Sequence, residues 1–284
     1  MRKCHFSILY NELPFLKQKM GFLYDHFEQL IFYDLNVGVN PHHHSTDGSF
    51  EYIKNYPDPE NKITLIEKTD LSDVIHYSGD SSIQKRKMFT VGSQYVWDDI
   101  DSFWCFDLDE FFHSNLFDQV DEIFSNPNVN SVNIEHLIFV KNEKYIFAQP
   151  NKITYPMYAR IARHRKGRLY GHCTIHNDLP ECYNISSDEN FIFHFAWVGK
   201  ERVKFKLDHY INEVTGVPKY RPLIKQWQEK FWNIFEQHEN QITNELYNYP
   251  YMHPAQILSC GILRYNDKLP DYINFEELMK DLKI

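Results

Sequence analysis

The chain has 284 residues and a formal net charge of -9, and 43% of it is hydrophobic and 16% aromatic. That is ample for a sizeable core, and the acidic balance argues against a general binder of polyanions. No stretch approaches the roughly 18 uninterrupted apolar residues of a spanning helix, and no long apolar run follows the basic amino-terminal residues. We therefore expect a cytoplasmic protein with no signal peptide and no transmembrane segment. The five cysteines, Cys4, Cys105, Cys173, Cys182 and Cys260, are odd in number, scattered and without a Cys-x-x-Cys pair, which fits reduced thiols in that compartment.

In chain order, Cys4 to Tyr10 predicts a first strand, and Pro14 then suits the opening turn of a helix that runs to about His26. Phe15, Leu16, Met20, Leu23 and Phe27 keep helical spacing, so one face packs on a sheet. Leu30 to Asp34 predicts a second strand, Leu35 to Gly48 a loop, and Ile63 to Ile66 a third strand. Strand, helix, strand implies a parallel unit. Ser82 to Tyr95, which includes Gln84 and Arg86, predicts a helix, and Trp97 to Ile100 leads into Phe103-Trp104-Cys105-Phe106-Asp107-Leu108-Asp109-Glu110-Phe111-Phe112.

An apolar run without polar alternation is expected of a central strand covered on both faces, and open α/β sheets place their ligands beyond the carboxyl ends of such strands. Asp107 and Asp109, two residues apart where strand gives way to turn, can share one divalent cation that keeps positions open for phosphate oxygens. The bland alternative is a solvated acidic turn. Asn11 and Asp34 end the first two strands in the same way, so three strand ends offer amide or carboxylate groups along one edge of the sheet.

The order Asn11-Glu12, Tyr33-Asp34-Leu35-Asn36, Gln84, then Trp104 to Phe111 with Asp-x-Asp-Glu-Phe resembles the family 2-like and family 92-like glycosyltransferases of GT-A fold. Phe193-His194-Phe195-Ala196-Trp197-Val198-Gly199 and the following Val203 to Leu207 resemble the segment that closes the nucleotide-sugar site in family 17-like enzymes. The likeness covers roughly Cys4 to Glu213, and the order of the motifs is its specific part. It implies a Rossmann-like α/β fold with a mainly parallel sheet flanked by helices, and a manganese or magnesium ion on Asp107, Asp109 and His194. A neutral imidazole suits manganese better than magnesium. It also implies a nucleotide-diphosphate sugar as donor, a UDP-sugar before others. Asn11, Glu12 and Asp34 would lie around base and ribose, Gln84 and Arg86 near the nucleotide, and Lys204 or Lys206 against phosphate. The family's Asp-Asn-x-Ser loop reads Asp34-Leu35-Asn36-Val37 here, which leaves the nucleotide base open.

The expected reaction moves a hexose or pentose to a hydroxyl acceptor, a glycan or another molecule. If it inverts the anomeric centre, a carboxylate base is needed, with Glu135 and Asp178 as candidates. Arg160 to Arg168 is the one basic cluster, which brings in a second possibility: a glycosyltransferase acting on modified bases in DNA, or a non-catalytic nucleic-acid or glycan module on the same scaffold. Nucleotidyl transfer would call for a glycine-rich first loop, and Ser7 to Pro14 has no glycine. His42-His43-His44 reads as loop, and His172 and His176 beside Cys173 and Cys182 as an acceptor-site or structural group. After residue 218 the pattern changes: Leu223 to Ile242, Pro254 to Leu263 and Phe275 to Leu282 all predict helices. The expected organisation is a catalytic domain over 1-218 and a helical extension over 219-284 packed on it.

Overall fold

The computed structural model describes residues 1–35, 44–67, 88–148, 154–165, 181–185, 190–209, 247–250 and 257–283. Gln84, Arg86, Asp178, His172, His176, Lys166 to Arg168 and the expected helix over 223–242 lie outside these residues.

The first half of the fold follows from its apolar runs. β1 (Lys3–Leu9), β2 (Gln29–Asp34), β3 (Ile63–Ile66) and β4 (Ser102–Cys105) are all parallel and stand in the order β3-β2-β1-β4. β1, β2 and β4 are buried throughout because both faces of the sheet are covered. On one face Cys4, Phe6, Ile8, Ile31, Tyr33 and Phe103 pack with Met88 and Phe89 of the helical turn over 88–93. On the other lies α1 (Leu13–His26), which buries Phe15, Leu16, Lys19, Met20, Phe22 and Leu23 against Trp104, Phe106 and Phe112. Short α2 (Ser49–Lys54) starts within the stretch beyond the expected loop.

The second half adds antiparallel pairings. After β5 (Glu110–Phe111) and α3 (Leu116–Ile123), the eleven-residue strand β6 (Ser131–Lys141) joins the two halves of the sheet. Its first residues pair with β8 (Tyr155–Arg163) on one side and β9 (Cys182–Asn184) on the other; its last pair with β7 (Tyr145–Ala148) and β10 (Ile192–Val198). β8 in turn pairs with β4, so a single curled sheet of α/β class results, flanked by helices. α4 (Lys200–His209) follows β10 through Gly199, whose φ of 84° is a left-handed conformation that glycine adopts at no steric cost.

One expected helix is corrected. Residues 257–264 form strand β12 (Ile257–Arg264), which pairs with β11 (Tyr247–Pro250) and with β7. A short, mainly apolar run of this length fits either period, and here the open edge of β7 decides in favour of a strand. The last helix, α5 (Phe275–Asp281), is as expected; Asn274 caps it by accepting from the Glu277 N–H at 3.1 Å. Ahead of it, Tyr272 stacks on Phe22 with ring centroids 3.7 Å apart and donates to the Phe112 carbonyl at 3.0 Å.

Candidate functional site

The parallel strands β1, β2 and β4 all end at the same edge of the sheet, and the chain leaves each of them through a polar group. After β1, Asn11 takes a positive φ of 55°, and its side-chain oxygen accepts from the Thr46 N–H at 2.7 Å. Asp34 at the end of β2 is fully buried; its Oδ1 accepts from the Ser45 hydroxyl at 2.5 Å and N–H at 3.1 Å, and its Oδ2 lies 2.9 Å from His44 Nδ1. Ser45 Oγ also accepts from the Asn11 N–H, so Asn11 and Asp34 are tied together through one serine.

After β4 the chain turns at once, as the acidic motif requires. Glu110 N–H donates to the Asp107 carbonyl at 3.1 Å, and the Asp107 N–H donates to Glu110 Oε2 at 3.0 Å. Beneath the turn, Lys19 of α1 is fully buried, donating to the Asp107 carbonyl at 3.1 Å and the Glu110 carbonyl at 2.5 Å. Phe106 and Phe111 flank its ammonium at 5.9 and 5.4 Å. One cation thus clamps both ends of the Asp-x-Asp turn.

Burial brings the Lys19 pKa down to about 8, although the Glu110, Asp109 and Asp107 carboxylates oppose it. In the unfolded chain a lysine holds its proton to about 10.4, so between these values the unfolded state binds more protons and stability rises with pH. Urea unfolding from pH 7 to pH 9.5 should show wild type gaining about 1–2 kcal/mol relative to Lys19→Met over that interval. Parallel pH profiles of the two proteins would remove the assignment.

Asp109 is the centre of the site. Its side chain is 4% exposed; Oδ2 accepts from Arg202 at 2.6 Å and Lys206 at 3.3 Å, and Oδ1 lies 3.5 Å from His194 Nε2. Burial disfavours the charged form, but Lys206, His194 and Arg202 together outweigh it and hold the carboxyl well below the usual range. Arg202 extends the cluster to Glu12, with contacts of 2.9 and 3.1 Å, and pins the middle of β10, where its register shifts, by donating to the carbonyls of Phe195 and Ala196 at 3.1 and 2.9 Å. Its ionised state is favoured, because the two carboxylates more than offset its burial.

Donors about 2.1 Å from one octahedral ion and at right angles stand about 3.0 Å apart, so Asp109 Oδ1 and His194 Nε2 fit a shared divalent cation with little rearrangement. Asp107, half-buried, lies two residues before Asp109 at the start of the same turn.

Of the residues anticipated, Glu12, Asp109, His194 and Lys206 meet around one point, with Asp107 on the adjoining turn; Asn11 and Asp34 form a second group at the neighbouring strand ends. Lys204 is exposed. Glu135 lies in the interior of β6, not at a strand end; it is 2% exposed and accepts from Thr154 Oγ1 at 2.5 Å. The arginine cluster is largely structural where it is described. Arg160 is 4% exposed and paired with Glu110, and Arg163 donates to the carbonyls of Phe124, Asn126 and Val129. Arg160 therefore has no surface to present to a nucleic acid.

Arg202 was missed by sequence reasoning, although a signal was present: it precedes Lys206 by four residues, so a helix puts both on one face and turns Lys204 away. Lys19 carried no signal beyond being a cation on an apolar helical face. Among the described residues no helix is long and apolar enough to cross a membrane.

Fold and site together define an α/β protein with a charged, convergent group at the carboxyl edge of its parallel strands. No family model matches the chain, and no curated protein matches it in sequence. Among solved structures it is similar to S. aureus TarS 1-349, with TM-score 0.40 and 11% identity over 79% of this chain and 69% of that one. The longer S. aureus TarS gives TM-score 0.39 and 13% identity over 85% and 45%. TarS 1-349 in complex with UDP-GlcNAc gives 0.38 and 12% over 82% and 72%. At this level of similarity, function has to be argued from the site itself.

Proposed function

We propose that the protein is a metal-dependent glycosyltransferase that moves a sugar from a nucleotide-diphosphate sugar to a hydroxyl acceptor. The observation that carries this reading is the ionised Asp109 carboxylate in a turn at the carboxyl end of a parallel strand, with His194 on one oxygen and Arg202 and Lys206 on the other. A carboxylate and an imidazole that can hold a dication, beside two further cations, suit the diphosphate of a donor better than a neutral ligand.

In this reading Asp107, Asp109 and His194 hold the cation, which when bound stabilises negative charge on the leaving diphosphate. Lys206, at 24% side-chain exposure, turns from Asp109 to a phosphate oxygen. Arg202 favours the ionised form of Asp109 and holds both Asp109 and Glu12 in place. Asn11 and Asp34, with Ser45 between them, shape the end of the groove that takes ribose and base. For an inverting transfer, Asp178 and Glu135 are the carboxylates to replace first.

The test is thermal unfolding with a panel of nucleotide diphosphates and their sugars, with and without manganese, UDP-GlcNAc first. A ligand at a hundredfold excess over its Kd should stabilise by about 2.7 kcal/mol. If no nucleotide or nucleotide sugar raises the midpoint in either condition, the glycosyltransferase reading falls.

A further inference from the structure

Behind the Asp-x-Asp turn, β5, β10 and β6 lie side by side with β10 in the middle. Glu110 on β5 is the register partner of His194 on β10, and His136 on β6 is opposite Ile192, two residues along the same face of β10. Three donors therefore converge inside the protein. Glu110 Oε1 is 3.7 Å from His136 Nδ1 and 3.8 Å from His194 Nδ1, all three lie within 4.8 Å of one another, and no side chain of the three is more than 6% exposed. The fully buried Nδ1 of His194 makes no hydrogen bond with any described residue, an arrangement that is costly in a low-dielectric interior unless something bonds there.

We propose that Glu110, His136 and His194 form a binding site for one transition-metal dication of the zinc class. Ligands about 2.1 Å from a tetrahedral ion stand about 3.4 Å apart, so the carboxylate–imidazole separations need to close by only a few tenths of an ångström. Two imidazoles and one carboxylate favour zinc, cobalt or nickel over magnesium or calcium. The carboxylate is already held on both oxygens: Oε2 accepts from the Asp107 N–H, and Oε1, the oxygen nearest the imidazoles, also pairs with Arg160 and would share its lone pairs between the guanidinium and the ion. Because Arg160 offsets the charge of Glu110, affinity rests on the two imidazoles more than on net charge.

The inference does not depend on sugar transfer, but it bears on the donor site. A neutral imidazole ligates through one nitrogen, so with Nδ1 on the buried ion His194 Nε2 carries the proton and faces Asp109 Oδ1 as a donor. The buried ion and a cation shared by Asp109 and His194 therefore exclude each other, and the buried ion would lock three strands behind the Asp-x-Asp turn.

The test uses the full chain stripped with chelator and titrated with Co2+, followed by visible absorption and by metal content per chain. We expect one cobalt per chain, a visible spectrum of low-coordinate cobalt with nitrogen ligands, and displacement by Zn2+. His136→Gln should weaken cobalt binding at least ~100-fold, more than the loss of a supporting outer residue usually costs. Asp109→Asn, which removes the charge of an outer partner of His194 but keeps an oxygen facing Nε2, should weaken it less than ~100-fold. Circular dichroism checks that each variant folds, and Glu110→Gln stands in if His136→Gln does not. Failure of the wild type to take up one cobalt per chain overturns the proposal. So does binding that survives His136→Gln and is lost in Asp109→Asn, since the ion would then sit at the donor edge.

Discussion

Replacing Arg202 with methionine is expected to cost about 3–5 kcal/mol of stability, the range for removing one partner of a buried charge pair. The size follows from what the guanidinium holds. It faces two carboxylates, Asp109 at 2.6 Å and Glu12 at 2.9 Å, pins two carbonyls in the middle of β10, and lies over the Phe15 ring with its centre 4.6 Å away. Methionine fills much of the same volume but leaves Asp109 with Lys206, at 3.3 Å and partly exposed, and His194, at 3.5 Å, as its remaining partners. Urea unfolding of Arg202→Met measures the loss, and a change below about 1 kcal/mol, the value of a surface pair, would show that the cluster is not acting as a buried one. The loss should also depend on pH. Because the Asp109 carboxyl is held below its ordinary value in the fold, its pairing contributes stability above the unfolded carboxyl pKa of about 3.9 and loses it as pH falls through the lower folded value. The gap between wild type and Arg202→Met should accordingly be full at pH 7 and shrink in acid.

Asp109→Asn is expected to abolish manganese-dependent stabilisation by a nucleotide sugar and to lower transfer at least ~100-fold, the scale on which removing one preorganised electrostatic contact acts. The substitution keeps shape and hydrogen-bonding capacity but removes the charge that both the cation and Lys206 answer to. Its stability cost should be smaller than that of Arg202→Met, since Arg202 keeps Glu12 as a partner. The two variants therefore separate holding the site together from using it: Arg202→Met lowers stability most, Asp109→Asn lowers ligand response most. A folded Asp109→Asn protein that still shows the full manganese-dependent shift would place the donor elsewhere.

Much of the amino-terminal half was legible in the sequence for a local reason. β1, β2 and β4 are short apolar runs whose burial on both faces needs no polar alternation, α1 carries a regular apolar stripe behind Pro14, and a turn after such a strand carries whatever polar residues come next to the edge of the sheet, here Asp107 and Asp109. His194 was legible through its apolar neighbours and its family-like order, and the strand ends Asn11 and Asp34 through their position alone. What the sequence could not determine depends on distant pairings. β12 was taken for a helix because a run such as Ile257 to Leu263 fits both periods, and only the vacant edge of β7 selects the strand. Arg160 looked like part of a basic surface; the pairing of β8 with β4 and β6 turns it inward to Glu110. Arg202 and Lys19 read as ordinary helical cations until the packing of α4 and α1 aimed one at Asp109 and the other at the carbonyls of the turn. The Glu110, His136 and His194 cluster exists only because β5, β10 and β6 are neighbours in one register. Local composition sets which strands are buried and where their polar ends fall; which charges meet is set by strand order and register, and those are fixed only when the whole sheet closes around its core.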